Sequence, residues 1–284
     1  MCGDFMKYLY HRGIKIPLIG LGSFNIYSDS EAEVINTFIH GINNHELTLI
    51  DTAEMYLDSE LILSKIIKKV KRERLYIINK ILPSNAKANK YLECCKKSLE
   101  LLGTEYLDLY LLHWRDDVNL EEFVWNMEKL KELGLIKNWG VSNFDISDME
   151  DLFKVKDGNK CFLNQVLYNI KSRGIEYDLI PWCKENDVLI MSYSPLCNNQ
   201  DERSMVANNK KIIDISRRLN LSPNSLMLSF VIRNNDIITI FKTSSITHLE
   251  ENLNNVFNKI DDDILKEIDD IFNPPTKKMP LQKI

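Results

Sequence analysis

The 284-residue chain is short of most features that would point its function elsewhere. No Gly-x-Gly-x-x-Gly turn follows a strand-like run, which argues against the nucleotide crevice of an open doubly wound sheet. Its six cysteines (Cys2, Cys94, Cys95, Cys161, Cys183 and Cys197) form no Cys-x-x-Cys pair and no metal-ligand spacing. They read as reduced thiols of a cytoplasmic protein, with Cys94 and Cys95 on different faces of one helix. No run approaches the ~18 apolar residues of a membrane helix, and Met1-Cys2-Gly3-Asp4-Phe5 lacks the basic-then-apolar layout of a signal peptide. Positive charge is not in excess: 36 Lys and Arg against 41 Asp and Glu leave a net charge of -5. Neither a nucleic-acid nor a membrane partner is therefore expected. The short basic run Lys68-Lys69-Val70-Lys71-Arg72 reads as a solvated helix end, where cations suit the helix dipole. No linker or low-complexity tract interrupts the chain, so residues 1–284 read as one domain, with Asn273–Lys278 the only loop-rich end.

What is present is a regular alternation of short apolar runs and amphipathic stretches. A segment over residues 5–17 reads as a hairpin. Strands are expected at residues 18–22, 47–51, 75–80, 106–113, 136–142, 161–168, 188–195 and 237–242. Helices are expected near residues 31–44, 58–71, 89–102, 120–133, 146–154, 176–186, 207–219, 223–233, 248–258 and 262–271. Ser30 with Glu33, Asn119 with Glu122 and Thr247 with Glu250 resemble capping boxes, and Ser222-Pro223 is an N-cap followed by proline. Eight strand-then-helix units imply parallel strands with crossover helices, an α/β architecture closed as a (β/α)8 TIM barrel with extra C-terminal helices.

In such a barrel the C-terminal strand ends share one face, where chemistry collects. Asp51, Lys80 and His113 close or nearly close three of the runs, and Tyr56 follows Asp51 by five residues. Each has a plainer reading: the Asp as a helix cap, the Tyr as loop packing, the Lys as a solvated end, the His as a satisfied polar group. Together they suit one reaction. Adding hydride to a carbonyl makes an alkoxide, which needs a proton. Tyr56 could give it, with Lys80 lowering its pKa and Asp51 charge-balancing Lys80. His113 could donate a hydrogen bond to the substrate oxygen. A metal-dependent hydrolase is a weaker alternative, because His11, His40, His45, His113 and His248 are scattered and only His113 ends a strand. No metal site is expected.

At these residues the chain resembles the aldo-keto reductases. Ile50-Asp51-Thr52-Ala53-Glu54-Met55-Tyr56, Asn79-Lys80 and Leu112-His113-Trp114 match that family's motifs. So do Trp139-Gly140-Val141-Ser142-Asn143-Phe144, Asn164-Gln165 and Tyr193-Ser194-Pro195-Leu196, in order from about residue 16 to 272. Within the family, Ser172-Arg173-Gly174 through Trp182-Cys183 and the terminal Lys278-Met279-Pro280-Leu281 resemble bacterial methylglyoxal reductases and their diketo-gluconate reductase relatives.

The resemblance implies a nicotinamide cofactor across the barrel top and a small aldehyde or ketone as substrate, with the protein a monomer. Ser142, Asn143 and Gln165 would bond the carboxamide, and Tyr193 would stack on the ring. Gly22, Ser23, Asp51, Ser194 and Leu196 would add cofactor contacts. Phe24 and Trp114 would wall the substrate pocket beside Tyr56 and His113. Ile240-Phe241-Lys242-Thr243-Ser244 and Thr247-His248-Leu249-Glu250-Glu251-Asn252 resemble the family's adenosine segment. Lys242, Thr243 and Ser244 would hold a 2′-phosphate, and Glu251 and Asn252 the adenine amino group. His248 stands where arginine is usual and lacks its permanent bidentate charge. NADPH is still expected over NADH. A barrel that binds cofactor as a sensor or structural subunit, with little turnover, is the alternative. The short tail after Phe272 implies an open pocket of broad specificity.

Overall fold

The computed structural model describes residues 6–87 and 90–283. Residue 5 of the expected hairpin, residue 89 of the expected third helix and Cys2 lie outside the described residues.

The hairpin is formed by β1 (Tyr8–His11) and β2 (Ile14–Pro17), paired antiparallel. Eight parallel strands then build the barrel: β3 (Ile19–Gly22), β4 (Leu49–Asp51), β5 (Tyr76–Ile81), β6 (Leu107–Leu112), β7 (Ile136–Ser142), β8 (Leu163–Leu167), β9 (Leu189–Tyr193) and β10 (Ile237–Phe241). They close in sequence order, with β10 returning to β3. All eight lie within two residues of the expected runs at either end. Strands buried on both faces read as continuous apolar segments rather than alternating ones, and β5, β6 and β8 are buried at every position. Gly140 on β7 permits the close strand approach: a Cβ there would fall 2.3 Å from the Leu163 carbonyl oxygen.

The helices are α1 (Glu31–His45), α2 (Ser59–Ile67), α3 (Lys90–Leu102), α4 (Leu120–Glu132), α5 (Ile146–Lys154), α6 (Leu179–Glu185), α7 (Gln200–Ala207), α8 (Lys210–Arg218), α9 (Pro223–Ile232), α10 (Ile246–Leu253) and α11 (Asp262–Ile271). Among the described residues, no helix is long and apolar enough to cross a membrane. Two expected caps hold: Asn119 accepts from the Glu122 amide, and Ser222 from the Ser225 amide ahead of Pro223. Two do not. Ser30 occupies the N-cap of α1 without a side-chain bond, and α10 is capped by Ser245, which puts Thr247 inside the helix. Arg72 is also no solvated cation. Its guanidinium reaches the buried Asp108 carboxylate at 2.8 Å and donates to the Tyr106 carbonyl.

Cys94 is half-buried and Cys95 buried on α3, as different helix faces require, and the five described cysteines are free thiols.

Candidate active site

Strand register assembles the site. Asp51 ends β4 and sits opposite Ile78 of β5, so Lys80, two residues on, rises beside it from the penultimate position of its strand. His113 follows the last residue of β6, its amide donating to Ile81 across the seam. Tyr56 stands on the loop after β4. That loop is held by backbone bonds from the Tyr56 amide to Ala53 and from the Ser59 amide to Tyr56. Glu54 ties it to the neighbouring loop by accepting from the Leu82 amide and the Asn85 side chain.

The four side chains meet. Lys80 Nζ donates to Asp51 Oδ1 at 2.6 Å and to the Thr52 carbonyl at 3.0 Å, and lies 3.5 Å from the Tyr56 hydroxyl. Gln165 Nε2 donates to the other Asp51 oxygen at 2.8 Å. Both carboxylate oxygens are therefore engaged, which a buried charge requires. The Tyr56 ring packs edge-on between Phe24 and His113, with centroid distances of 5.2 and 5.9 Å.

Electrostatics separate the roles these groups can play. Burial alone drives an ammonium down, but the Asp51 carboxylate, helped by the Tyr56 hydroxyl, outweighs it and holds Lys80 above its ordinary value. Burial pushes the Tyr56 phenol above its usual value of about 10. Lys80 pulls it down, in the expected direction, yet loses to desolvation, so the phenol stays protonated. Burial, reinforced by the Lys80 charge, pulls His113 down to about 3, so its imidazole is neutral at ordinary pH. A protonated phenol and a neutral imidazole are both hydrogen-bond donors.

A second chain of bonds lines the adjoining wall. Ser142 donates to the Gln165 carbonyl, Asn143 Nδ2 to the His113 carbonyl at 3.1 Å, and Tyr193 to Asn143 Oδ1 at 2.8 Å. Asn143 and Ser194 adopt left-handed backbone, φ 60° and 52°, strain of the kind stored at functional sites.

These walls enclose a cavity of about 660 Å³. Of the expected residues, Gly22, Phe24, Asp51, Tyr56, His113, Trp114, Ser142, Asn143, Gln165, Tyr193, Ser194, Leu196 and Lys242 line it. Phe24 is 64% exposed, so it is no core aromatic. Lys80 lies beneath the floor, fully buried, and Ser23 is buried behind the wall. Thr243, Ser244, His248, Glu251 and Asn252 do not line the cavity; they lie beyond it on the turn after β10 and on α10. The Thr243 hydroxyl is taken up by its own turn, bonded to the Ser245 backbone. No described residue of the tail lines the cavity. Residues 279–282 instead pack beside Asp145 and Asp178, each an ion-pair partner of Lys278.

Sequence reasoning missed one side of the cavity. Asn198, Asn199, Gln200 and Arg203 line it from the start of α7, a helix not expected there. The signal was available: Asn199 caps α7 by accepting from the Glu202 amide, an Asn-x-x-Glu pattern like that of Asn119. Asp29 was missed too. Its carboxylate pairs with the Lys242 ammonium across the β3–β10 seam.

A cavity of this volume, lined by amide and hydroxyl side chains together with a lysine, fits a nicotinamide dinucleotide. On its wall, His113 Nδ1 is buried without a protein partner, and such an atom calls for a polar ligand or water.

Comparison with known proteins agrees with this geometry. The model of the Aldo/keto reductase family matches residues 18–273. The methylglyoxal reductase YeaE of Escherichia coli K12 is 38% identical over 244 residues, covering 84% of this chain and 85% of that protein. An aldo/keto reductase from Klebsiella pneumoniae solved with NADP and acetate superposes with a TM-score of 0.92 at 36% identity, over 97% of this chain and 98% of that one. An aldo-keto reductase from the same organism solved with NADPH gives 0.93 at 35%, over 98% and 99%.

Proposed function

The chain belongs to the aldo/keto reductase family, and on that premise we propose that it reduces small aldehydes and ketones of the methylglyoxal kind with NADPH, using Tyr56 as the acid. The observation that carries the reading is the buried Asp51–Lys80 pair placed against the Tyr56 hydroxyl at the edge of the cavity. NADPH supplies the hydride when bound. Tyr56 gives its hydroxyl proton to the carbonyl oxygen, so hydride and proton together complete the alcohol. The Lys80 ammonium stabilises the phenolate left behind, and Asp51 holds that ammonium in place. His113, neutral, donates to the carbonyl oxygen and orients it. In this reading Ser142, Asn143 and Gln165, which line the cavity, fix the carboxamide, and Phe24 and Trp114 wall off the reacting end. The name of the Escherichia coli relative supports a dicarbonyl substrate. A barrel that only binds cofactor would have no use for the costly burial of a charged pair beside a phenol.

Lys242 carries the cofactor preference in this reading. Its ammonium answers a 2′-phosphate, which must compete with Asp29 for it. Fluorescence titration should show tighter binding of NADPH than of NADH. Lys242→Ala should weaken NADPH at least about tenfold, one charge-assisted contact, and leave NADH unchanged. Equal affinities that ignore the substitution would remove the phosphate assignment. Absence of NADPH consumption with methylglyoxal and other small aldehydes would remove the function.

The pH profile is a further check. His113 falls to about 3 and so does not titrate in the working range. Tyr56 holds its proton above the ordinary phenol value. The rate of reduction should therefore be flat from about pH 5 to about pH 9, with no limb near the ordinary histidine value of about 6.5, and should fall only as Tyr56 loses its proton. A limb near neutrality in kcat that His113→Gln abolishes would contradict this arrangement.

A further inference from the structure

Two histidines that looked scattered in the sequence come together away from the cavity. His40 and His45 lie on the last turns of α1, and Glu250 on α10 faces them. His40 Nε2 is 2.5 Å and His45 Nε2 2.7 Å from the same carboxylate oxygen, Oε1. The donor atoms of all three residues lie within 4.8 Å of one another. The geometry points to a site for one divalent transition-metal ion of the zinc kind, held by His40, His45 and Glu250.

The donor set fits that class. Two imidazole nitrogens and one carboxylate suit zinc and its neighbours, whereas calcium and magnesium take oxygen donors. Donors around a tetrahedral zinc stand about 3.3 Å apart, given metal–ligand distances of about 2.0 Å. The nitrogens here need to draw back from Glu250 by under about 1 Å, within reach of small side-chain rotations. The side chains are 27%, 24% and 47% exposed, which leaves room for water at a remaining position.

The surroundings are built for it. Gly41, between the two histidines, lets α1 approach α10: a Cβ there would lie 3.1 Å from Leu249 Cδ1. The C-terminal end of a helix favours a cation, and both histidines sit at the C-terminal end of α1. The Asn44 amide lies 2.9 Å from His40 Nδ1. Turned over, it presents its oxygen to an Nδ1 proton, the outer-shell bond that frees Nε2 for a metal. An ion bound here pins α10 to α1.

Metal-free protein, with its thiols reduced, should be dialysed against ZnCl2 and separately titrated with Co2+. One equivalent of zinc should bind, and His45→Ala and His40→Ala should each weaken it at least about tenfold. The Co2+ spectrum should show d–d bands without thiolate charge transfer, because no cysteine contributes. Zinc in excess should raise the Tm of the wild type by about 5 °C and leave His45→Ala unmoved. Both histidines are partly exposed, so the variants should fold; Glu250→Gln, which removes only the charge, serves if either does not. No saturable binding, binding unchanged in the histidine variants, or a thiolate band would overturn the site.

Discussion

Replacing Tyr56 with phenylalanine is expected to lower kcat by about 10²- to 10⁴-fold, the usual worth of a positioned acid, or roughly 3–5 kcal/mol of barrier. The Kd for NADPH should not change. The ring keeps its edge-on contacts with Phe24 and His113, and the loop keeps its backbone bonds, so the shape of the cavity survives. Lys80 loses only its 3.5 Å contact and retains Asp51 and the Thr52 carbonyl. Rapid mixing with excess NADPH and methylglyoxal would separate the chemical step from binding. A variant within tenfold of wild type would mean that another group, or water, delivers the proton. A variant that also loses NADPH would mean that Tyr56 shapes the cofactor site rather than acting as the acid.

Substituting Lys80 with methionine is expected to abolish turnover to a similar degree and to cost about 3–5 kcal/mol of stability, the usual penalty for breaking a buried ion pair from one side. The side chains of Lys80 and Asp51 are 1% and 2% exposed. Without the ammonium, Asp51 keeps only the Gln165 donor. Burial already pushes its carboxyl up, and loss of Lys80 pushes it further. The folded-state pKa then lies above the unfolded value of about 3.9. Below about pH 4 both states are protonated and the penalty is small; it grows from there up to the folded value, where the unfolded chain has already released its proton and the folded one has not, and is constant above it. Urea denaturation should therefore show a larger deficit against wild type at pH 8 than at pH 5. Adding Asp51→Asn should restore much of the stability and none of the activity. A deficit equal at both pH values would mean that lost packing, not a stranded carboxylate, sets the penalty.

Most of the barrel was legible because parallel strands buried on both faces leave apolar runs that need no periodicity to detect. Helix starts were legible where the capping residue bonds locally, as at Asn119 and Ser222. They were misread at Ser30 and Thr247, because residue type permits a cap without obliging it: Ser245 takes the role two residues before Thr247. The α7 segment was passed over since only its cap marks it; its first turn meets the cavity, and Val206 is the one residue it buries in the core. The quartet and the residues along the Asn143–Tyr193 wall were legible as motifs. The state of Tyr56 was not. Nearness to Lys80 suggested a lowered pKa, but burial decides the sign, and burial is a property of the closed barrel.

By itself, the sequence determined the eight runs, their order, and the polar groups placed at or just beyond their ends. Those follow from local hydrophobicity and from a chain that returns each parallel strand through a helix. Tertiary structure alone decided which groups share a charge. Gln165, 114 residues from Asp51, completes its carboxylate only because β8 closes round to face β4. Asp29 finds Lys242 only because the first and last barrel strands meet. Glu250 gathers His40 and His45 from about 200 residues away across the α1–α10 contact. Pairings of this kind depend on distance through space, and desolvation then sets how strong they are; neither quantity is written in the order of residues along a chain.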